Sequence, residues 1–196
     1  PAPHVWPDVK QADVRVLNIG AALEKPQSTT PAAADSIKAA VEKYEAQLTL
    51  LDQWVRDSIS SVPEENRVLF TSHDAFGYFA NAYDVKFIGA ALSDFNHQQD
   101  ATAEHINKAA EEVKASGAKA LFAENSNNSK SIEAIARAAG VKAITNDDAL
   151  YGDSLGPAGS PGETYIGSII HNVTTLVTAW DGTPAPLPPE ISNNAK

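Results

Sequence analysis

Val68-Leu69-Phe70-Thr71-Ser72-His73-Asp74-Ala75-Phe76 is the stretch on which the fold prediction depends, because in it an apolar run passes directly into polar residues. A short apolar run bounded by turn residues is typical of a buried strand. A second run, near the other end of the chain, leads into Tyr151-Gly152-Asp153-Ser154. If both runs are strands of one parallel sheet, His73 and Asp153 emerge at the same carboxyl edge, where open α/β sheets bind ligands. An imidazole and a carboxylate meeting there indicate a metal site.

Around this stretch, short apolar runs alternate with helical patterns. The predicted strands are Arg67–Thr71, Lys86–Leu92, Ala118–Ala123 and Val141–Thr145. The predicted helices between them are Asp74–Tyr83, Ala101–Ser116 and Lys130–Ala139. Gly117 and Gly140 follow the last two helices at the position expected of a helix C-cap. This order predicts an α/β fold with a four-stranded parallel sheet flanked by helices.

A long amphipathic helix is predicted before the sheet. Its apolar residues recur at three- and four-residue steps. They are Ile37, Val41, Tyr44, Leu48, Leu51, Val55 and Ile59. The chain then divides into an amino-terminal segment (residues 1–30), the long helix (31–63), an α/β lobe (64–182) and a proline-rich tail (183–196) that we expect to be disordered.

Composition excludes several classes of function. The net charge is −10, from 25 acidic and 15 basic residues, so nucleic acid is not an expected partner, since phosphate binding needs clustered Lys and Arg. Cysteine is absent, which excludes disulfides and thiolate metal sites. No apolar stretch approaches the roughly 20 residues of a membrane helix. The chain begins at Pro1 and contains no Met, so we expect a processed or truncated product.

The five histidines form no local metal motif such as His-x-x-x-His, so a metal site must be assembled from distant parts of the chain. His73 lies where a strand passes into a helix, and capping that helix is as good an interpretation as ligation. His97 and His105 flank a polar helix start, where a solvated face is favoured. His171 falls on the last predicted helix, Glu163–Trp180, where packing or surface exposure is favoured over ligation.

Enzyme motifs are absent from the sequence. There is no Gly-x-Gly-x-x-Gly, no Walker loop and no Gly-x-Ser-x-Gly elbow. Asp147 and Asp148 are adjacent, so they do not face each other across a cleft as a hydrolase pair does. Glu124 ends a predicted strand at the carboxyl edge, and the polar residues 125–128 after it either line a site or simply begin a helix.

Four motifs, in fixed order along the chain, carry a resemblance to a known family. They are Pro3-His4-Val5-Trp6 followed by Asp8, Thr71–Phe79 with Tyr83, Asp153–Gly162 with Tyr165, and His171-Asn172. These motifs resemble the zinc- and manganese-binding solute-binding lipoproteins of bacterial ABC importers. The long helix is similar to the rigid helix that connects the two lobes of that family. The resemblance covers almost the whole chain and implies the carboxyl-terminal lobe of a two-lobed protein, with residues 1–30 as a remnant of the other lobe.

The resemblance implies that His4, His73 and Asp153 are metal ligands. The family's fourth ligand is a histidine early in the amino-terminal lobe, and no residue here matches it. The implied site is therefore incomplete, with weak or absent metal binding. Two positions depart from the family pattern: Ala2 stands where an acidic residue or Asn is usual, and Asp84 stands where Gly is usual.

The implied function is capture of Zn²⁺ or Mn²⁺ outside the cytoplasmic membrane and delivery to the membrane subunit of an ABC permease, without enzymatic activity. The implied location is the periplasm or the cell surface, with a lipid anchor that is not part of this chain. Imidazole suits zinc and carboxylate suits manganese. Relatives with a carboxylate at the position of His73 lean to manganese, so His73 favours zinc or tolerance of both.

Three alternatives stay open from the sequence. One is a surface adhesin or interaction module. A second is a hydrolase in which His73 acts as a general base oriented by Asp153. A third concerns assembly: the apolar stripe within Asp13–Leu23 would pair between copies of the chain and give a dimer.

Overall fold

The computed structural model describes residues 3–25, 30–88, 103–126 and 128–194. The helices are α1 (Val9–Leu23), α2 (Pro31–Ser60), α3 (Gly77–Ala82), α4 (Ala103–Ser116), α5 (Lys130–Ala139), α6 (Tyr165–Ala179) and α7 (Pro189–Ser192). The strands are β1 (Val68–Leu69), β2 (Lys86–Phe87), β3 (Ala120–Phe122) and β4 (Lys142–Ile144). Single 3-10 turns lie at Glu64–Asn66 and Asn146–Asp148.

The predicted elements are found in the predicted order, most of them with shorter bounds. α5 has the predicted bounds, and it ends at Gly140, whose φ of 77° is the left-handed conformation of a helix C-cap. The ends of two predicted elements, after Ile88 and before Ala103, lie outside the described residues, as does His97.

The strands pair in parallel, β1 with β2 and β3 with β4. A bridge between Thr71 and Phe122 joins the two pairs, and the Phe122 N–H donates to the Phe70 carbonyl at 2.9 Å. The strand order is therefore β2-β1-β3-β4. The α/β class is confirmed. A continuous four-stranded sheet stays a prediction, because the regular strands form two separate pairs.

Alternate side chains of the strands enter two different apolar clusters, as the two-residue period of a strand requires. Leu69 and Phe122 pack in a cluster that also contains residues of α2, α3 and α6. Phe70 and Leu121 pack on the other face with residues of α4 and α5. Both faces of the strands are thus covered by helices, which is why the strands read as continuous apolar runs. Only the strand ends are left for polar chemistry.

The predicted long helix is α2, and it begins with Pro31 at the first turn, where proline is favoured. Its 30 residues extend about 45 Å at 1.5 Å per residue. Its buried residues, from Leu48 to Ile59, all lie in the second half, which packs on the lobe. The first half packs against α1, where Gly20 lies so close to Val41 that a Cβ would come within 2.7 Å of its Cγ2.

The expectation of a disordered tail is not met over residues 183–194, which the structure describes as packed chain. Ile191 is fully buried in the cluster that contains α2 and α6. Trp54 Nε1 donates to the Ala185 carbonyl at 2.8 Å, and the Ala185 N–H donates to Ser58 Oγ at 3.0 Å. Apart from the short helix α7, the proline-rich tail has no regular structure, but some of its backbone groups bond to side chains of α2 instead of solvent.

Asp84 adopts a φ of 53°, in the left-handed region that favours glycine. The family's usual glycine at this position has the same physical reason, because the turn between α3 and β2 requires that conformation. Asp is among the side chains that tolerate it best.

Four large apolar side chains on α1 are exposed: Val14, Leu17, Ile19 and Leu23. This confirms the predicted apolar stripe as a surface feature, while pairing between copies through it stays a prediction. Among the described residues, no helix combines the length and the apolarity needed to cross a bilayer.

Replacing Ile191 by Ala tests whether the tail is part of the fold. Loss of a fully buried isoleucine side chain is expected to lower the free energy of unfolding by about 2–5 kcal/mol in urea titration. Glu190→Ala, one residue away and exposed, serves as the control and is expected to stay within about 0.5 kcal/mol of the wild type. Equal stability of the two variants would mean that the tail does not pack.

Candidate metal centre

Three side chains from distant parts of the chain meet beyond the carboxyl ends of the strands. His4 Nε2 lies 3.2 Å from Asp153 Oδ1, and His73 Nε2 lies 3.4 Å from Asp153 Oδ2. The two Nε2 atoms are 3.2 Å apart. The exposed fractions of the side chains are 12% for His4, 27% for His73 and 35% for Asp153, so the cluster is half-buried and open to solvent on one side.

His73 is positioned by the end of β1. Its backbone is fixed at both polar groups: Thr71 Oγ1 donates to the His73 carbonyl at 2.6 Å, and the His73 N–H donates to Glu124 Oε1 at 3.0 Å. Thr71 is itself buried and bridged to β3. The imidazole therefore projects from a loop whose backbone is held on both sides.

Asp153 is positioned by the chain that follows Leu150. Leu150 continues the ladder beside β3, since its N–H donates to the Ala123 carbonyl at 2.9 Å. Asn172, buried on α6, then makes two bonds with Tyr151: it accepts from the Tyr151 N–H at 2.8 Å and donates to the Tyr151 carbonyl at 2.9 Å. The loop that carries Asp153 therefore starts from a fixed point.

His4 reaches the site from outside the sheet, on a segment that is tied down at Trp6. Trp6 Nε1 donates to the Gly152 carbonyl at 2.7 Å, directly before Asp153. Tyr165 donates from its hydroxyl to the Trp6 carbonyl, also at 2.7 Å. The Trp6 ring contacts the His4 ring at 5.0 Å between centroids, whereas His4 Nδ1 is buried with no hydrogen-bond partner among the described residues. Packing on Trp6 therefore helps to orient this imidazole.

A polar network fixes the start of α1, just after this segment. The Val9 N–H donates to the Tyr83 hydroxyl at 3.4 Å, and that hydroxyl donates to Asp52 Oδ1 at 2.9 Å. Arg56 donates to both oxygens of Asp52. Burial, followed by the charge of Asp52, raises the pKa of Tyr83 well above its usual range, so the phenol stays a donor. Helices α1, α2 and α3 are thereby joined where the chain turns towards His4.

The donor set suits a transition-metal ion. Histidine nitrogens and a carboxylate oxygen are zinc ligands, and at about 2.1 Å from a tetrahedral ion they lie about 3.4 Å from one another. The two Nε2 atoms, 3.2 Å apart, are close to that spacing, and the imidazoles of His4 and His73 approach different oxygens of Asp153, at 3.2 and 3.4 Å. One ligand atom from each residue lies within 4.8 Å of the other two. Three protein ligands leave the fourth tetrahedral position open.

A protein-family model, described as the periplasmic component A of the zinc-uptake complex (ZnuA), matches residues 1–179. The chain belongs to the ZnuA family. The resemblance inferred from the four sequence motifs is thereby confirmed.

Two curated ZnuA-family relatives show how much of the protein the chain represents. The manganese-binding lipoprotein MntA of Bacillus subtilis is 34% identical over 179 residues, which are 90% of this chain and 57% of MntA. The zinc-binding protein TroA of Treponema pallidum is 34% identical over 90% of this chain and 56% of TroA. The chain thus spans somewhat more than half the length of these relatives.

Solved structures support the fold of the ZnuA-family chain. The periplasmic zinc-binding protein TroA from Treponema pallidum superposes with a TM-score of 0.78 at 33% identity, over 91% of this chain and 63% of TroA. Fe(III)-bound YtgA from Chlamydia trachomatis superposes with a TM-score of 0.76 over 95% of this chain and 66% of YtgA. YtgA is 23% identical, so it supports the fold alone.

The remaining candidates from the sequence lie away from this cluster. His105 is exposed on α4. His171 packs beside the loop before Asp153, with Nε2 3.1 Å from the Ala149 carbonyl and its ring against Tyr151, so packing was the better interpretation. Glu124, which the sequence left open, is buried at the strand edge beside His73. Burial, before the nearby charge of Asp153, raises the pKa of Glu124 to about 8.

Sequence reasoning missed the bonds that hold the site together. Nothing in a one-dimensional pattern shows that Trp6 donates to Gly152 or that Asn172 holds Tyr151. The only available signal was the presence of these residues within motifs shared with the ZnuA family.

Asp8 links the start of α1 to the pH dependence of stability. Its carboxylate caps the helix by accepting from the Lys10 N–H at 3.0 Å, but burial raises its pKa above the usual 3.8. A raised carboxyl pKa contributes stability that is complete below about pH 4 and is lost as the pH rises through the folded-state pKa. Asp8→Asn, which keeps a capping oxygen, is therefore expected to lose less stability than the wild type between pH 4 and 7 in urea titrations with a chelator.

Asp8→Ala is the matched comparison, because it removes both the charge and the cap. It is expected to be about 1 kcal/mol less stable than Asp8→Asn at every pH. A wild type and an Asp8→Asn variant with the same pH profile would contradict the assigned cost of burying this carboxylate.

Proposed function

We propose that this chain holds a divalent transition metal, Zn²⁺ or Mn²⁺, through His4, His73 and Asp153, as part of an extracytoplasmic solute-binding protein of an ABC importer. The observation that carries the proposal is that residues 69 and 80 positions apart bring their ligand atoms together: one atom from each residue lies within 4.8 Å of the other two, and each imidazole Nε2 lies 3.2–3.4 Å from one oxygen of Asp153. Membership of the ZnuA family supports it.

The metal is cargo in this proposal. The chain binds it and releases it to the membrane subunit of an ABC permease, and no bond of a substrate is made or broken. We propose accordingly that the chain is not an enzyme. In the hydrolase alternative, Asp153 would orient His73 alone, but the carboxylate also contacts His4, with one oxygen towards each imidazole. Such sharing suits two ligands of one ion better than an oriented general base.

The identity of the metal follows from the ligands and the relatives. Two imidazoles and one carboxylate suit zinc, which also binds more strongly than manganese to almost any such set. The relative MntA is described as manganese-binding and TroA as zinc-binding. We propose Zn²⁺ as the tighter ligand in solution, with Mn²⁺ also accepted.

The domain roles follow from the same proposal. Residues 64–182 form the metal-binding lobe and residues 31–63 the connecting helix, while α1 and the segment before it carry His4 across to that lobe. The polar network at Tyr83, Asp52 and Arg56 supports this arrangement, since it ties α1 to both parts. The proposed location is the periplasm or the cell surface.

Single substitutions of the proposed ligands test the function. His73→Ala and Asp153→Ala are each expected to weaken Zn²⁺ binding by at least about 100-fold in calorimetry. Loss of a residue that only hydrogen-bonds to a ligand typically weakens affinity about 10–100-fold, and loss of the ligand itself should weaken it more. His105→Ala, a histidine exposed on α4, is the control and is expected to bind Zn²⁺ as the wild type does. Unchanged binding by both ligand variants would contradict the proposed site.

A second measurement separates metal transport from hydrolysis. The wild-type chain, with three ligands, is expected to bind Zn²⁺ weakly but with a stoichiometry close to one per molecule in calorimetry, and to show no turnover of ester or phosphoester substrates. Turnover that His73→Ala abolishes would favour the hydrolase alternative instead.

A further inference from the structure

Glu124 is a carboxylate in a place where carboxylates are rare. It follows β3 at the carboxyl edge, and only 1% of its surface is exposed. A bridge to Leu150 fixes its backbone, and the N–H of the following residue donates to the Leu150 carbonyl at 2.9 Å. The side chain of Glu124 therefore starts from a backbone position that is fixed by hydrogen bonds.

One oxygen of Glu124 holds the loop that carries His73. Oε1 accepts the His73 N–H at 3.0 Å, and in the reverse direction the Glu124 N–H donates to Ser72 Oγ at 3.3 Å. Glu124 is thus linked to the Ser72–His73 loop by two hydrogen bonds, one that it accepts and one that it donates. Without the carboxylate, the His73 N–H would lose its acceptor in a partly buried site, which costs more than the bond itself contributes.

The other oxygen of Glu124 faces the loop that carries Asp153. Oε2 is buried and makes no hydrogen bond with the described residues. It lies against Gly152, where an added Cβ would collide with it and would also approach Ala75 Cβ to 3.4 Å. Gly152 has a φ outside the left-handed region, so contact with Glu124, not backbone conformation, is what favours glycine there.

We propose that Glu124 is a positioning residue for the metal centre: its single buried carboxyl group touches the backbone beside both His73 and Asp153 and fixes the distance between them. It does not ligate the metal. The three-residue cluster found among the described residues does not include it. This inference rests on the proposed function, and it adds the reason why two loops joined to different strands hold their ligand atoms 3.4 Å apart.

The proposal depends on the hydrogen bond that Glu124 accepts and on the space that its side chain fills. Glu124→Gln keeps an oxygen that accepts the His73 N–H and has nearly the same shape, whereas Glu124→Ala removes the acceptor and leaves a gap beside Gly152. Outer partners of metal ligands typically change affinity 10–100-fold. Glu124→Ala is therefore expected to bind Zn²⁺ 10–100-fold more weakly, and Glu124→Gln within about threefold of the wild type.

The experiment is Zn²⁺ calorimetry at one pH on the wild type, both Glu124 variants and His73→Ala, together with the visible absorption spectrum of bound Co²⁺. A merely structural role would change thermal stability and leave the Co²⁺ spectrum of the folded protein unchanged. A positioning role changes the spectrum in Glu124→Ala and restores it in Glu124→Gln. Wild-type affinity in Glu124→Ala, or equal weakening in both variants, would overturn the proposal.

Gly152→Ala tests the contact between Gly152 and Glu124 by changing the glycine. It keeps the proposal testable if Glu124→Ala does not fold. Its methyl group displaces the carboxylate, so about tenfold weaker Zn²⁺ binding is expected. In the double variant Glu124→Ala/Gly152→Ala the methyl group has room, so binding should be no weaker than in Glu124→Ala alone. Additive losses in the double variant would contradict a contact between the two residues.

A metal-free readout separates this inference from the proposed function. In the chelator-treated wild type, the His73 backbone amide is expected to exchange slowly with deuterium, and in Glu124→Ala at least tenfold faster. If the wild type binds no Zn²⁺, the proposed function fails whatever this amide does. If it binds Zn²⁺ but the amide and the affinity are unchanged in Glu124→Ala, only the role of Glu124 fails.

Discussion

Backbone hydrogen bonding between neighbouring parallel strands is the constraint on which the rest of the structure depends. The Phe122 N–H bonds to Phe70, and the Leu150 N–H bonds to Ala123. Each of these bonds sets one chain segment beside the next, with the same direction and a fixed register. The loops that follow β1, β3 and Leu150 therefore all begin at the same edge of the sheet. His73 and Asp153, about 80 positions apart in the sequence, become neighbours there. The side chains of β1 and β3 are apolar and buried on both faces, so the polar residues of these two segments are found after their carboxyl ends.

His4 is the exception, since no strand delivers it. Its position depends on contacts made across the chain, from Trp6 to Gly152 and from Tyr165 to Trp6, and on the network that fixes the start of α1. Of the three proposed ligands, two are therefore positioned by the sheet and one by helix packing. Disturbing α1 or α2 would therefore reach the metal centre through His4, while His73 and Asp153 stayed in register.

The spacing of apolar residues predicted the strands and helices, but it could not predict tertiary contacts that have no regular spacing. The apolar runs near Val68 and Ala120 and the stripe of α2 were readable, because burial on a strand or helix imposes a fixed spacing. The pairing of His73 with Asp153 followed from parallel topology alone, whereas His4 entered only through family resemblance. The tail was predicted wrongly because proline content describes local conformation, and the bond from Trp54 to Ala185 and the burial of Ile191 are tertiary. Glu124 stayed ambiguous, since a strand-end carboxylate reads the same whether it faces solvent or the core.

The three proposed ligands are held unequally, and this bears on how a metal would enter and leave. The backbone of His73 is bonded at both its N–H and its carbonyl, and His4 packs on Trp6 with little exposure. Asp153 is the most exposed of the three, and its neighbours Tyr151 and Gly152 make the hydrogen bonds that hold its loop. Pre-set histidines lower the cost of ordering the site on binding. A less constrained carboxylate allows a ligand to be exchanged without moving the strands, which suits the proposed capture and release of a metal ion.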